Sequence, residues 1–572
     1  MPNQSESNGR SWGLLRQVAQ RVLPSFVLIF SCITAPLVAE PASEKTYLGI
    51  VKSVDLFGEV YREVATGYVD KIDTSELMYA GIDGMLRSLD PYTVFLDEED
   101  SGELDEMTSG QYVGIGVSIA SLDDAFFVTS VVDGYAAAKA GIRVGDTILA
   151  INNKDVRKMA LADVKAMIKG VAGTSLTFRL ARQGSAAPVT ATLVREEVRV
   201  NTVSYAGVMK GIGYIEMKSF SARSADELRA AFRGLQRDAQ EQRVPLKGII
   251  LDLRNNPGGL LNAAVDVTSL FVGKGSEVVS IRGRSAESSK SYLTETPPLD
   301  AAIPLALLIN GESASAAEIV SGAIQDLDRG VIIGERSFGK GLVQSVIRIS
   351  YDNALKLTTA KYYTPSGRLI QKEIKPAHES RKVLPKAPEG NAQQIFYTKK
   401  GRKVYGSGGI TPDIPVSEQA MFPFLAELRK KGALFLFSNG YCASNALPPL
   451  LPLDRQKLMA SFDDFLRKKK FVYTSDSERH LTELKESLKK SQPAEGLPEL
   501  NTLGALQQEI LKLKEQEIGK ESSRVAQALE VEILRHYNER LARRAELDHD
   551  AQVNKAIEVL SDSRKYASVL HP

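Results

Sequence analysis

Residues 303–344 read IPLALLINGESASAAEIVSGAIQDLDRGVIIGERSFGKGLVQ, and this stretch decides the fold. It holds two short apolar runs, 303–309 and 331–334, which are typical of strands buried on both faces of a sheet. The segment between them has the composition of a helix. Because strands and helices alternate from about 198 to 416, we predict a layered α/β fold for this part of the chain. Within it, the stretch 282–298 is rich in Ser, Thr and Pro and is predicted to be a loop.

Ser315 lies where the first of these strands meets the helix. It occupies the position of a helix N-cap, and Glu318 three residues later would complete a capping box, so a purely structural role is one interpretation. A second feature favours chemistry. The helix runs about 16 Å away from Ser315, and the strand at 331–335 returns by about the same distance. The loop 336–340, in which Lys340 stands between two glycines, therefore comes back to the level of Ser315.

Lys340 is the candidate general base, since the five histidines are scattered along the chain and a Ser–His pair is hard to assemble from them. A protonated ammonium cannot accept a proton, and the unperturbed pKa of a lysine is about 10.4. Burial in apolar surroundings disfavours the charged form and lowers that pKa. Gln344 would face the same side of an extended segment and could hold the amine without adding a charge. The interpretation is therefore Ser315 as nucleophile, Lys340 as base and Gln344 as its orienting partner.

An oxyanion hole would need N–H donors aimed at the developing negative charge. The N–H of Ala316, directly after the nucleophile, is one candidate, and the helix N-terminus adds its dipole. The other is the turn at 252–259, which ends Asn-Pro-Gly-Gly and follows a predicted buried strand. We favour Gly258 as the second donor, with Gly259 next. An ordinary Pro-Gly-Gly turn is the alternative interpretation.

A glycine-interrupted segment, Gly114-Ile115-Gly116-Val117, precedes the stretch AGIRVGDTILAIN at 140–152 by one hairpin and a short helix. Together the two segments resemble a PDZ domain. The bare backbone of the glycines could offer N–H groups to a terminal carboxylate. A peptide tail would add itself as an extra strand beside Val117, with Ile115, Val117 and Ile168 forming a pocket for an apolar last residue. Taken alone, the glycines would only shape a bend in a strand.

Composition excludes several classes of protein. The 572 residues include 72 Lys and Arg against 70 Asp and Glu, so the net charge of +2 does not indicate a protein that binds nucleic acid. Two cysteines, Cys32 and Cys442, cannot form a disulfide framework or a cysteine zinc site, and the histidines lack metal-ligand spacing. We expect no metal and no cofactor.

The N-terminus has the pattern of an export signal. Arg10, Arg16 and Arg21 precede the apolar run 22–38, and the small residue Ala39 follows it. The run is short for a spanning helix and contains two prolines. We therefore expect a cleaved signal and a periplasmic or otherwise exported protein. An uncleaved signal, or a lipid anchor at Cys32, would instead attach the chain to a membrane.

These segments together resemble the carboxyl-terminal processing proteases, also called tail-specific proteases. The matching stretches, in the family's order, are LDPYT at 89–93, the two PDZ segments, DLRNNPGG at 252–259, SASAAEI at 313–319, FGKGLVQ at 338–344, KYYTPSGR at 361–368 and GITPD at 409–413. The resemblance implies the same roles for Ser315, Lys340 and Gln344, and no cofactor. Ala317 departs from the family, where a third serine is common. Asp326 matches an aspartate implicated in some members, but it lies about three turns from Ser315 and is interpreted as structural.

The resemblance implies an α/β multidomain fold, with a PDZ domain inserted into a protease core similar to the ClpP/crotonase fold. The predicted domains are a signal peptide (1–39), an N-terminal helical segment (43–108), a PDZ domain (109–197), the serine protease core (198–416) and a charged helical C-terminal extension (417–572).

The leading functional interpretation is an exported serine endopeptidase that acts on proteins or peptides with apolar C-termini. The N-terminal helices resemble segments used for dimerisation, so we expect a homo-oligomer, and the extension would serve assembly or recruit a partner such as an adaptor protein. The main alternative is a catalytically inactive PDZ scaffold or chaperone built on the same fold. A binding protein for small apolar ligands is a third reading, which the PDZ segment disfavours.

Overall fold

The computed structural model describes residues 44–373, 394–418, 421–445, 453–491 and 498–571. The predicted signal peptide, 1–39, lies outside these ranges. Among the helices within them, none combines the length and the apolar composition that a membrane span requires.

The helices, in chain order, are α1 (Glu44–Gly67), α2 (Thr74–Arg87), α3 (Glu98–Ser109), α4 (Ala136–Lys139), α5 (Leu161–Ile168), α6 (Ser224–Glu241), α7 (Leu261–Ser269), α8 (Ala316–Asp326), α9 (Pro423–Lys430), α10 (Ala433–Ser444), α11 (Arg455–Lys468), α12 (Asp476–Ser491), α13 (Pro498–Tyr537), α14 (Glu539–Asp548), α15 (Ala551–Ser561) and α16 (Ser563–Leu570).

The strands are β1 (Val94–Leu96), β2 (Gln111–Gly114), β3 (Val117–Leu122), β4 (Ala125–Val131), β5 (Thr147–Ile151), β6 (Lys154–Asp155), β7 (Ser175–Ala181), β8 (Val189–Val194), β9 (Glu196–Arg199), β10 (Val203–Met209), β11 (Ile212–Met217), β12 (Gly248–Asp252), β13 (Glu277–Gly283), β14 (Lys290–Leu293), β15 (Leu305–Ile309), β16 (Val331–Gly334), β17 (Leu342–Arg348), β18 (Ala354–Tyr363), β19 (Ile395–Tyr397), β20 (Lys403–Tyr405) and β21 (Ile414–Pro415).

The chain divides into two compact units. One combines the residues up to 111, 200–418 and those from 552 onward, and the other combines 112–199 with 419–551. The division shows that the C-terminal extension, predicted as one segment from 417 to 572, contributes its last helices to the unit that contains the α/β core.

The α/β core is built on a sheet with the strand order β10-β11-β12-β15-β16-β21. Strand β10 runs antiparallel to β11, whereas every later neighbour is parallel. Strands β12 and β15 read GIILD and LALLI and are buried along their whole length. Such continuous apolar runs are stable only inside a sheet covered on both faces, as the sequence predicted.

Helix α8 is the central helix of this core. All of its residues are buried, because it packs on α7 and against β13 of a second sheet. Its sequence, AAEIVSGAIQD, therefore contains mainly small and aliphatic residues.

The second sheet places the N-terminal segment beside the core. Its order is β1-β18-β13-β14, with β17 also paired to β18, and all of these pairs are antiparallel. Strand β14 lies inside the stretch 282–298 that was predicted to be a loop. That prediction was wrong because part of the Ser-rich stretch pairs with β13. This pairing, rather than the composition of the stretch, determines that it forms a strand.

In the other unit, 112–199 forms an antiparallel sheet of order β3-β4-β5-β7-β8, with β6 paired to β5. Helices α9, α10, α11 and α13 form an apolar cluster of their own in the same unit. The amide of Asn439 on α10 donates to the carbonyl of Gly145 at 3.0 Å, and the rings of Phe435 and Phe127 lie 5.7 Å apart. The helical extension is thus packed directly on the β-sheet of this unit.

The last two helices belong to the core unit by their contacts. The N–H of Leu305 on β15 donates to the hydroxyl of Tyr566 on α16 at 3.0 Å. The amide of Gln552 on α15 donates to the carbonyl of Val416 at 2.7 Å and accepts from Arg254 at 3.0 Å. The chain therefore ends, within the described residues, against the sheet that carries the candidate site.

Candidate active site

Ser315 occupies a strained turn between β15 and α8. Its φ of 59° and ψ of −114° are rare for a residue with a side chain, and such outliers cluster at functional sites. The residue is fully buried, and its Oγ has no hydrogen-bond partner among the described residues. A sharp strand-to-helix turn that presents a serine hydroxyl is the geometry of a nucleophile elbow.

Only one of the two hydrogen bonds of a capping box is made between Ser315 and Glu318. Ser315 and Glu318 stand in the capping-box arrangement, and the N–H of Ser315 donates to the Glu318 carboxylate at 2.9 Å. The N–H of Glu318, however, donates to the Ser315 carbonyl at 2.8 Å, and the hydroxyl makes no hydrogen bond. The helix end is thus satisfied without the Oγ, which leaves that atom available for chemistry.

Lys340 is buried, with an exposed fraction of 1%. Its Nζ donates to Oε1 of Gln344 at 3.0 Å and lies 4.8 Å from the centre of the Tyr92 ring. Burial lowers the pKa of the Lys340 ammonium to about 7, and the positive charge of Lys356 acts in the same direction. Near neutral pH a large fraction of this amine is therefore uncharged and able to accept a proton.

Gln344 is held from two sides. On β17 its Oε1 accepts from the lysine, and its Nε2 donates to the backbone carbonyl of Tyr92 at 2.7 Å. The side chain is almost fully buried. Since both ends of the amide are bonded, its orientation is fixed, and it presents an uncharged acceptor to Lys340.

Glu318 joins the serine and lysine segments, a role that the sequence analysis missed. Its Oε2 accepts from the backbone N–H of both Ser315 and Lys340, at 2.9 Å each. Its Oε1 accepts from the N–H of Gly339 at 2.8 Å and from the hydroxyl of Ser337 at 2.5 Å. Burial raises the pKa of this carboxyl to about 7, and the four hydrogen bonds oppose that rise. The only sequence signal was the spacing that had suggested a helix cap.

A buried tyrosine adds a second link. The hydroxyl of Tyr362 on β18 contacts the carbonyl of Ser315 at 3.2 Å and also the carbonyl of Lys340. The structure thus brings the two segments together through Glu318 and Tyr362. It does not join the reacting atoms, because the Ser315 Oγ accepts no hydrogen bond from the Lys340 Nζ.

The glycine turn lies directly against the serine. A Cβ atom on Gly258, whose φ is 105°, would come within 2.8 Å of the Ser315 Cβ and 2.9 Å of the Ala316 nitrogen. At Gly259, with φ of 144°, a Cβ would overlap the carbonyl of Phe220. Both positions therefore require glycine. The N–H of Gly258, the donor favoured from the sequence, is engaged here by Oδ1 of Asn256 at 2.9 Å.

The predicted tail-binding segment lies at an edge of the β-sheet in the other unit. Val117 begins β3, the first strand in the sheet order, so one side of this strand is unpaired. Gly116 has a φ of 78°, and Ile115 packs in the apolar cluster that also contains Ile168 of α5. A Cβ on Gly114 would clash with the ring of Tyr112. An edge strand next to a helix is the arrangement that accepts an added peptide strand.

Comparison with known proteins adds independent information. The model of peptidase family S41 matches residues 211–380, and the PDZ domain model matches 104–181. Residues 37–100 match the activating protease CtpB N-terminal domain, and 424–560 match the probable PDZ-protease C-terminal helical domain. The carboxy-terminal-processing protease of Bartonella bacilliformis is 37% identical over 358 residues, which are 63% of this chain and 81% of that protein. The chain belongs to the family of carboxy-terminal processing proteases.

Two further proteins are similar to this chain. The carboxy-terminal processing protease CtpA of Bacillus subtilis is 34% identical over 324 residues, which cover 56% of this chain and 68% of that protein. A solved structure, the photosystem II D1 C-terminal processing protease, is 28% identical, covers 63% of this chain and 92% of its own, and has a TM-score of 0.33. The matched family models and the Bartonella bacilliformis relative identify the chain as a carboxy-terminal processing protease of peptidase family S41, with a PDZ domain and helical N-terminal and C-terminal regions.

Asp326, at the far end of α8 from Ser315, forms part of a buried ion pair in this protease. Its Oδ1 accepts from Arg368 at 2.6 Å, and its Oδ2 accepts from the N–H and the hydroxyl of Ser366. Both charged side chains are fully buried. These contacts hold the 364–368 turn on the helix and agree with a structural role. No group of side chains suited to holding a metal ion occurs in the described part of the chain.

Proposed function

We propose that this protease is an exported serine endopeptidase that captures apolar C-terminal tails with its PDZ domain and cleaves with Ser315, Lys340 and Gln344. One observation carries the proposal. A strained, buried serine with an unpartnered hydroxyl is fixed to the same carboxylate as a buried lysine of lowered pKa. Perturbed titratable groups of this kind are a mark of active sites.

In the proposed acylation step, the Ser315 Oγ attacks the carbonyl carbon of the substrate, and its proton passes to the uncharged Lys340 Nζ. The resulting ammonium returns that proton to the amine that leaves when the peptide bond breaks. A water molecule then attacks the ester, with the same lysine accepting and returning a proton. In this structure the lysine is hydrogen-bonded to Gln344, so its Nζ has to turn toward Ser315 when the substrate is bound.

The oxyanion that forms during attack needs donors next to Ser315. The N–H of Ala316 is the first backbone donor of α8 and benefits from the helix dipole. Gly258 is the second donor that we propose, because its backbone lies against Ser315. Its N–H would exchange Asn256 for the oxyanion, and the bond at 2.9 Å is the contact that this exchange breaks.

Tail capture would occur in the PDZ domain. We propose that backbone N–H groups of the 114–117 segment bind the terminal carboxylate, while the tail pairs with the free edge of β3. Ile115 is part of the domain core, so its proposed contribution is the backbone, whereas Val117 and Ile168 would meet the last apolar side chain.

Export, assembly and an adaptor remain parts of the same proposal. The basic flank and apolar run within 1–39 support export to the periplasm or another extracytoplasmic site. Helix α1 supports a homo-oligomer, because apolar side chains are exposed all along it, among them Tyr47, Leu48, Ile50, Val54, Leu56, Phe57 and Val60. A helix that exposes so many large apolar side chains normally buries them against a partner.

The test of the proposed mechanism is degradation of a folded protein with an apolar C-terminal extension. We expect Ser315→Ala and Lys340→Ala each to reduce the rate by about a thousandfold or more, with unchanged thermal unfolding. The matched control is Ser321→Ala, which removes a buried hydroxyl of the same helix that bonds only within that helix. Full cleavage by both site variants would refute the mechanism, and an inactive wild type would favour the scaffold alternative.

A further inference from the structure

A second buried lysine lies on the sheet that positions Gln344. Lys356 is on β18 and has an exposed fraction of only 6%. It pairs with Val346 of β17 on one side and with Val94 of β1 on the other. Lysine side chains are almost never buried without a reason, since burying an ammonium is costly. The proposed catalytic mechanism gives this residue no role.

The register of the sheet places Lys356 close to the general base. Gln344 pairs with Thr358, so Lys356 is the diagonal neighbour of Gln344 on the adjacent strand. Side chains alternate along a strand, and residues two apart share a face. Diagonal neighbours on one face are about 7–8 Å apart, within the reach of long side chains. Because the Lys340 Nζ is bonded to Gln344, Lys356 lies on the same face of the sheet as the side chain that holds Lys340.

The other charged and titratable groups around the two lysines come from every neighbouring segment. The carboxylate of Glu318 accepts a hydrogen bond from the N–H of Lys340. Asp90, in the turn before β1, raises the pKa of both lysines. The Tyr92 ring covers the Lys340 Nζ, and the Tyr362 hydroxyl contacts the Lys340 carbonyl. The two carboxylates favour the protonated form of Lys340 and so raise its pKa. An uncharged Lys340 near neutral pH therefore requires other influences that lower this pKa.

We propose that Lys356 is a positioning residue for the general base, whose buried positive charge keeps Lys340 unprotonated. The inference rests on the proposed function of Lys340. A second cation next to a catalytic lysine is an established way to lower the pKa of that lysine, so that a larger fraction of the amine is uncharged at neutral pH. It acts through Lys340 and touches neither substrate nor nucleophile.

The electrostatics agree with this geometry. The charge of Lys356 is the largest influence on the Lys340 pKa after burial, and the pKa values of the two lysines are lowered to about 7 and about 8. At a pH where Lys356 is protonated, its charge opposes protonation of Lys340. Above about pH 8 both amines are neutral and the effect of Lys356 ends.

The test is the pH dependence of kcat/KM for wild type and Lys356→Met, measured with one peptide substrate that ends in apolar residues. Without the second cation the pKa of Lys340 rises, so the acid limb of the profile moves to higher pH, by about one unit for charges this far apart. Below the limb the variant is about tenfold slower than wild type, and at alkaline pH the two converge. An acid limb at the wild-type pH in a folded Lys356→Met protein overturns the proposal.

Control variants separate charge from packing. Lys356→Arg keeps the charge and should keep the limb, and Lys361→Met removes an exposed charge from the same strand and should not shift it. Asp90→Asn should move the limb the opposite way, to lower pH, while its Oδ1 still accepts the N–H of Tyr92.

Loss of folding and failure of the proposed function give different results. If Lys356→Met does not fold, Lys356→Gln decides, and an unshifted limb in that variant counts against the proposal. A uniform loss of rate at every pH would mean a structural role only. If instead Lys340→Ala remains active, the proposed base is wrong, and this result is distinct from an unshifted limb in the Lys356 variants.

Discussion

The side chain of Glu318 joins the segment of Ser315 to the segment of Lys340. Its carboxylate accepts four hydrogen bonds, two of them from the backbone N–H groups of the proposed nucleophile and base. A carboxylate fits because it presents only acceptors to these donors. Glu318 therefore fixes the segments of the proposed nucleophile and the proposed base relative to each other, and it takes no part in the proposed reaction.

We predict that Glu318→Gln destabilises the protein and lowers its activity. The amide would direct its NH₂ group at backbone donors, so at least one buried N–H would lose its acceptor, at a cost of about 1–3 kcal/mol. Urea unfolding measures the free energy, and peptide cleavage measures the activity. Glu312→Gln, an exposed residue in the same loop, is the matched control and should change neither. Equal stability of Glu318→Gln and wild type would contradict this role.

The residue types of the site were predictable from the sequence, whereas their environment was not. The spacing of Ser315, Lys340 and Gln344 along a strand-helix-strand unit was enough to propose them as candidate catalytic residues. The positive φ of Ser315 and the four donors around Glu318 depend on segments that meet only in the fold. The engagement of Gly258 by Asn256 is likewise a tertiary contact that no local pattern encodes.

At the scale of elements, the elbow at the start of α8 and the glycine turn after β12 fit together backbone to backbone. The close approach exists because position 258 has no side chain. The turn brings its bare backbone to the serine, and the helix brings its N-terminal donors to the same place. The two elements follow neighbouring parallel strands, β12 and β15, and build one site at the carboxyl ends of these strands.

We predict that Gly258→Ala abolishes cleavage and destabilises the core by about 2 kcal/mol or more, since the new Cβ would meet Ser315 at a φ that favours glycine. Thermal unfolding and peptide cleavage measure the two effects. Gly273→Ala provides the control, because a Cβ there would have no atom within 4 Å. An active Gly258→Ala enzyme would exclude this turn from the oxyanion site.

Element predictions succeeded where the hydrophobic pattern is strong. Strand β16 has the bounds of the apolar run 331–334, and β15 begins two residues into the run 303–309. The glycine-interrupted segment 114–117 spans the break between β2 and β3, where Gly116 adopts a positive φ. The missed strand β14 shows the limit of the pattern, because strand pairing can override an unfavourable composition.

At the scale of the whole molecule, segments far apart in sequence complete each unit. The PDZ sheet shares a unit with the helices from 419 to 551, and the last helices return to the core. The composition of the extension predicted charged amphipathic helices, and they are present. It could not predict the division at about residue 551, because contacts such as Tyr566 with Leu305 join residues about 260 positions apart.

The account as a whole depends on an uncharged Lys340 that accepts the proton of Ser315. The most direct measurement is the single-turnover acylation rate of Ser315 by an activated peptide ester, followed against pH in wild type and in Lys340→Met. For wild type we predict a rate that rises as pH increases through about 7, where the lysine loses its proton. Lys340→Met should be slow and lack this rise, whereas a variant that acylates at the wild-type rate with the same pH dependence would contradict the account.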